Sequence, residues 1–145
     1  MAAEIERTAR LALEAAASGA SPLVHSAAGP GDPAVASFRA ALSGSALTAE
    51  DANLRIGRCL GQVLDKVLNG SGIRRAVAAG GDTSGHTMQE LGLEALVALA
   101  PTIPGAALCT GYGSGPHDGL QIALKGGQMG SEDFFGWIRD GGGPR

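Results

Sequence analysis

Arg74-Arg75-Ala76-Val77-Ala78-Ala79-Gly80-Gly81-Asp82-Thr83-Ser84-Gly85 is the stretch on which the fold turns. Residues 74–79 put a short apolar run behind two arginines and read as a buried strand. The glycines that follow make a tight turn. Thr83 and Ser84 offer hydroxyls to cap a short helix that ends at Leu91-Gly92. Strand, glycine turn, helix is the opening of a βα unit, and open α/β sheets bind ligands at the carboxyl ends of their strands.

Upstream, residues 49–69 read as the best helix of the chain. Thr48 caps it, and Glu50 and Asp51 favour the positive end of its dipole. Ile56, Cys59, Leu60, Val63, Leu64, Val67 and Leu68 form a broad apolar face at helical spacing. Gly57 and Gly61, one turn apart, predict close packing against a sheet. Residues 2–18 read as a helix with Ile5, Ala9, Ala12 and Ala16 on one face and Gly19 after its end. Leu23-Val24-His25-Ser26 reads as a strand. Asp32-Pro33 starts a short helix with Val35, Phe38 and Leu42 as its stripe.

Downstream, strands are expected at 94–99, 106–111 and 120–125. Gly126-Gly127-Gln128-Met129-Gly130 is a second glycine turn, and Ser131 caps a last helix carrying Phe134, Phe135 and Ile138. The tail 141–145 should fray. Strands alternating with helices give an α/β layered fold, with a mixed, partly parallel sheet flanked by helices. At 145 residues the chain makes one domain, 1–145.

Composition bounds the function. Of the 44% hydrophobic residues, 26 are Ala and only 3% of the chain is aromatic, so the core is built from small side chains at close approach. The 24 glycines and 7 prolines stay below the roughly 25–30% typical of low-complexity disorder. The net charge is −3 and the densest basic cluster is Arg74-Arg75, which argues against a nucleic-acid groove. No apolar run approaches the ~18 residues of a membrane span. Met1-Ala2-Ala3-Glu4-Ile5-Glu6-Arg7 lacks the basic and apolar regions of a signal peptide. With two cysteines, Cys59 and Cys109, a reduced cytoplasmic protein is expected.

Three places could carry chemistry. The Gly80–Gly85 turn fits two readings: an anion site on the free N–H groups of the helix start, or a tight turn whose glycines only relieve strain. It is not a Walker A loop, because no Gly-Lys-Ser/Thr follows, and its spacing is not that of a dinucleotide fingerprint. The second turn repeats the theme. There Lys125 could neutralise phosphate or be a solvated lysine at a strand end. Two such turns could clamp a nucleotide from both sides. Ser26 is the third, either a ligand contact or a turn residue. His25, His86 and His117 show no metal spacing, and no nucleophile elbow is present.

Gly80-Gly81-Asp82-Thr83-Ser84-Gly85 with its helix resembles the Gly-Gly-(Glu/Asp)-Thr-Ser-Gly signature of the four-carbon acid sugar kinase family, in its C-terminal nucleotide-binding domain. Leu124-Lys125-Gly126-Gly127 through Asp133-Phe134-Phe135 is similar to that family's closing motif. Pro22-Leu23-Val24-His25-Ser26 is similar to its early strand, and Ile103-Pro104-Gly105 to its Pro-Gly element. The resemblance spans most of residues 20–138. Met129 departs from it where the family has Phe, and His86 where a small apolar residue is usual.

The resemblance implies transfer of the γ-phosphate of ATP to a hydroxyl of a sugar acid such as threonate, erythronate or a 3-oxo-tetronate. Ser26, Gly80, Gly81, Asp82, Thr83 and Gly126 would be the ATP contacts, with Ser84 and Lys125 as further phosphate contacts. Asp82 would hold Mg²⁺. The catalytic base is expected in a separate sugar-acid-binding domain, for which this chain has no room. This chain alone would then be inactive. The surface left for that domain could instead serve a second copy, and the rival reading is a non-catalytic interaction or regulatory protein that keeps the fold.

Overall fold

The computed structural model describes residues 1–144. Among the described residues, five helices and four strands follow the order α1 (Ala2–Ala17), α2 (Pro33–Ser43), α3 (Ala49–Ser71), β1 (Arg75–Ala79), α4 (Gly81–Glu90), β2 (Leu93–Ala100), β3 (Leu108–Gly113), β4 (Gln121–Lys125) and α5 (Phe134–Arg139). The sheet order is β1-β4-β3-β2. β1 and β4 run parallel, while β3 is antiparallel to both β4 and β2. The architecture is the expected α/β layered fold with a mixed, partly parallel sheet.

The layers follow from which side chains share a face. Ala76, Ile122, Leu120 and Leu93 meet Leu68 and Leu91 on the α3–α4 side of the sheet. Leu108 and Ala123 meet Phe134 and Ile138 of α5 on the other side. Ile5, Ala9 and Ala12 of α1 close a further cluster against Val63 and Val67 on the back of α3. Ala supplies many of these contacts, as its abundance in the sequence requires.

α3 begins on a complete capping box: Asp51 N–H donates to Thr48 Oγ1 at 3.0 Å, and Asp51 Oδ2 accepts from Thr48 N–H. It runs two residues past the expected end and stops at Gly72, whose φ of +70° suits glycine. α2 starts as read, with Asp32 accepting from Ala34 N–H.

Several expectations change. Residues 23–26 form no strand: the outer side of β1 takes no fifth strand, and Pro22–His25 instead line an open apolar trough between α1 and α3. A short apolar run cannot decide between those two partners by itself. Gly57 and Gly61 pack not against the sheet but against α4, where an added Cβ would stand 2.6 Å from His86 Cδ2 and 2.9 Å from Glu90 Cγ. Ser131 does not cap the last helix, which starts at Phe134 with Asp133 in the cap position. Within the tail, Gly143 N–H donates to Pro101 O at 2.8 Å and Gly143 O accepts from Trp137 Nε1 at 3.1 Å. Arg145, the end of that predicted tail, lies outside the described residues.

Candidate functional site

The parallel pair β1–β4 ends in two glycine turns at the same edge of the sheet. Ala79 is in register with Lys125, and Gly80 N–H donates to Lys125 O at 2.8 Å. A main-chain bond therefore joins the two turns that the sequence presented separately.

Gly80 is the N-cap of α4, with φ +119° and ψ 134°, and no side chain caps the helix. The sequence had given that role to Thr83 and Ser84. Ser84 is buried, and its hydroxyl donates back to Gly80 O at 2.7 Å. Thr83 Oγ1 lies 3.1 Å from where a Cβ on Gly80 would be, so it packs on the turn. The N–H groups of Gly81, Asp82 and Thr83 have no partner inside the helix. Gly81 has open space where a side chain would project. Free amides at the positive end of a ten-residue helix are the kind of groups an anion would meet, and the Gly81 side of the turn is clear.

Asp82 sits exposed in the first turn of α4. Among the described residues no three His, Cys, Asp or Glu side chains converge as a metal cluster. A single carboxylate suits Mg²⁺ only if the other ligands are phosphate oxygens and water, the usual way this ion is held.

Across from the start of α4, Lys125 turns into its own loop. Its ammonium donates to Gly126 O at 2.9 Å and to Met129 O. It folds the Gly126–Gly130 turn and in this arrangement spends donors that a phosphate would need. Met129 is exposed at the rim, its Cε 3.3 Å from a Cβ built on Gly105 and its Cγ 3.4 Å from one built on Gly126. Residues Pro104-Gly105 thus complete the same end of the sheet, a grouping that neither motif alone announces.

Ser26 is exposed on the irregular segment that follows the trough-lining residues. No bond joins it to either glycine turn. His117, which the sequence left as structural or solvent-exposed, is buried at 3% exposure with Nε2 2.7 Å from Asp65 Oδ1. It precedes β4 and so belongs to the opposite end of the strands. A separation of 52 positions gave the sequence no signal of the pair. Burial pushes the Cys109 thiol up, so it is a poor nucleophile.

A family model described as the nucleotide-binding C-terminal domain matches residues 1–135. The 3-oxo-isoapionate kinase of Paraburkholderia graminis is 46% identical over 141 residues, which is 97% of this chain and 30% of that protein. The 3-oxo-tetronate kinase of Pseudomonas savastanoi pv. phaseolicola is 38% identical over 89 residues, 61% of this chain and 20% of its own. The chain thus spans a third or less of the length of these curated relatives. Among solved structures, a Salmonella typhimurium LT2 protein described as a candidate tRNA synthase superposes with TM-score 0.64 at 24% identity, over 92% of this chain and 29% of that one. A domain of unknown function from Bordetella bronchiseptica, crystallised with citrate as a domain-swapped dimer, gives 0.55 at 22% identity, over 90% and 36%. At those identities the two structures speak for the fold alone. The chain belongs to the nucleotide-binding C-terminal domain family, the C-terminal domain of the four-carbon acid sugar kinases.

Proposed function

We propose that this chain is the ATP-binding domain of a kinase that phosphorylates a four-carbon sugar acid of the threonate, erythronate or 3-oxo-tetronate type. The observation that carries the reading is the anion cradle at the start of α4, held beside the Gly126–Gly130 turn by the Gly80–Lys125 main-chain bond. The amides of Gly81, Asp82 and Thr83 bind the phosphates, and the second turn bounds the rest of the nucleotide. Mg²⁺ brought with ATP would supply charge neutralisation, and Asp82 would hold it directly or through water. Phosphoryl transfer asks for positioning and charge neutralisation more than covalent chemistry, and both lie within the reach of these groups.

Ser26 contacts the nucleotide only if the segment 22–26 swings toward the turns, so its part in the site is secondary. Lys125 acts chiefly by shaping its loop. The sugar-acid portion supplies the base that takes the hydroxyl proton, and without it the chain binds nucleotide but does not turn over. The setting is the reduced cytoplasm, where ATP and sugar acids are found together.

Calorimetric titration of the chain with Mg-ATP and Mg-ADP tests this. With no sugar-acid portion to cover the nucleotide in this experiment, the expected affinity is micromolar to millimolar, about −4 to −8 kcal/mol. No heat at several millimolar nucleotide contradicts the reading.

A further inference from the structure

We propose that Met129 is the platform for the base of the nucleotide: its thioether side chain, laid over Gly126 and Gly105, takes one face of a purine whose phosphates meet the amides of Gly81, Asp82 and Thr83. The inference rests on the nucleotide reading of the site and assigns the part of the ligand that the phosphate-binding amides do not reach.

Sheet order sets the distance. β1 and β3 stand on either side of β4, two strand spacings or about 10 Å apart. β4 runs parallel to β1 and β3 antiparallel to β4, so β3 begins at the edge where β1 ends. The turn 103–106, which carries Gly105 and leads toward β3, therefore lies beyond the Gly126–Gly130 turn as seen from the start of α4. A nucleoside diphosphate laid along this edge has its phosphates at α4, its ribose over Gly126 and Gly127, and its base at Met129.

The two glycines under the ribose are not demanded by the fold. Neither has a left-handed φ, so another residue could take their backbone. A Cβ on Gly127 would meet no atom within 4 Å, and one on Gly126 only Met129 Cγ, at 3.4 Å and in ordinary contact. What their missing side chains leave clear is a close approach to the main chain.

Met129 itself is held from behind. Its N–H donates to Gly126 O at 3.1 Å, and its carbonyl accepts from Lys125 Nζ. Thr102 Oγ1 donates to Ala106 O and pins the turn that carries Gly105. The side chain has Cγ toward Gly126 and Cε toward Gly105, and 43% of the residue stays open to solvent. A thioether beside an aromatic ring is a favourable contact. Such a surface reads area rather than a hydrogen-bond pattern, so it favours purines over pyrimidines.

Calorimetric titration of the unaltered chain, Met129→Ala and Met129→Leu with Mg-ADP, Mg-CDP and Mg-pyrophosphate tests the proposal. The unaltered chain should bind ADP more tightly than CDP or pyrophosphate. Met129→Ala should weaken ADP about threefold to tenfold and leave pyrophosphate within about twofold. Met129→Leu, which keeps an apolar surface, should recover most of the loss. Unchanged ADP affinity in Met129→Ala overturns the platform. Equal losses of ADP and pyrophosphate overturn it too, because they assign Met129 to the shape of its turn. Pyrophosphate bound as tightly as ADP by the unaltered chain overturns the platform and leaves the phosphate site standing, whereas binding of neither overturns the nucleotide reading along with it.

Discussion

Gly80 holds the turn in a conformation that side chains resist, and Gly81 holds open the space in front of it. The two adjacent glycines therefore do different things, and substitution separates them. Gly80→Ala forces an alanine to φ +119° and sets its Cβ 3.1 Å from Thr83 Oγ1. It should lower stability by about 1–3 kcal/mol, read by thermal denaturation. At Gly81 an added Cβ meets no atom within 4 Å and the backbone is one that any residue adopts, so Gly81→Val should leave the domain folded. Its branched side chain fills the cradle instead, and nucleotide affinity should fall at least about tenfold. The sequence marked both glycines as turn residues, but only the backbone dihedrals tell which one carries the strain.

Asp82 is the odd residue of that turn, since a carboxylate repels the anion it faces unless a cation lies between them. Asp82→Asn should weaken binding of Mg-ATP and leave binding of ATP in EDTA equal or slightly tighter. Parallel losses in the two buffers would mean that the carboxylate serves the turn rather than the metal. The residue type was legible in the sequence, and its exposure supports the ligand reading. The inward course of Lys125 was not legible, because nothing in Lys-Gly-Gly says whether the ammonium meets solvent or its own carbonyls.

Among the elements, α3 and α4 are fitted by subtraction. Gly57 leaves the notch that the His86 ring fills. His86 Nδ1 is buried there without a hydrogen-bond partner, so the ring is held by shape rather than by a bond. Gly57→Ala should cost about 1–3 kcal/mol through overpacking. His86→Ala should recover much of that loss, and a double-mutant cycle by denaturant unfolding measures the coupling. Glycine spacing showed that something came close. It could not show that the neighbour was a helix, since periodicity describes one surface and not its partner.

The start of α3 was readable because capping is local: Thr48 and Asp51 are three residues apart and meet wherever a helix begins there. The segment 23–26 was misread because a strand needs a partner that four residues cannot specify. The cap also sets a pH dependence. Hydrogen bonds from the Thr48 hydroxyl, then from its amide, hold the Asp51 carboxyl below its ordinary value of 3.8. Its contribution is complete above the unfolded pKa and disappears as pH falls through the lowered folded value. Protection of the first-turn amides of α3, taken relative to their intrinsic exchange rates, should fall below about pH 4, and Thr48→Ala should abolish that pH dependence.

For the whole molecule, sheet order is what makes the site. β1 and β4 are parallel neighbours although α4, β2 and β3 separate them in sequence, and that crossover sets both glycine turns at one edge. The alternation of strands and helices implied a layered sheet. Which strands became neighbours was not written locally, because long-range pairing depends on the core as a whole. The parallel run of β1 beside β4 thus sets two glycine turns that are far apart in sequence side by side.

The direct test of that claim is the amide spectrum of the ¹⁵N-labelled chain during titration with Mg-ADP. The largest shifts should fall on Gly80–Gly85, foremost the amides of Gly81, Asp82 and Thr83, with a second group at Gly126–Gly130. Shifts centred on the trough between α1 and α3, or none at saturating nucleotide, would contradict it.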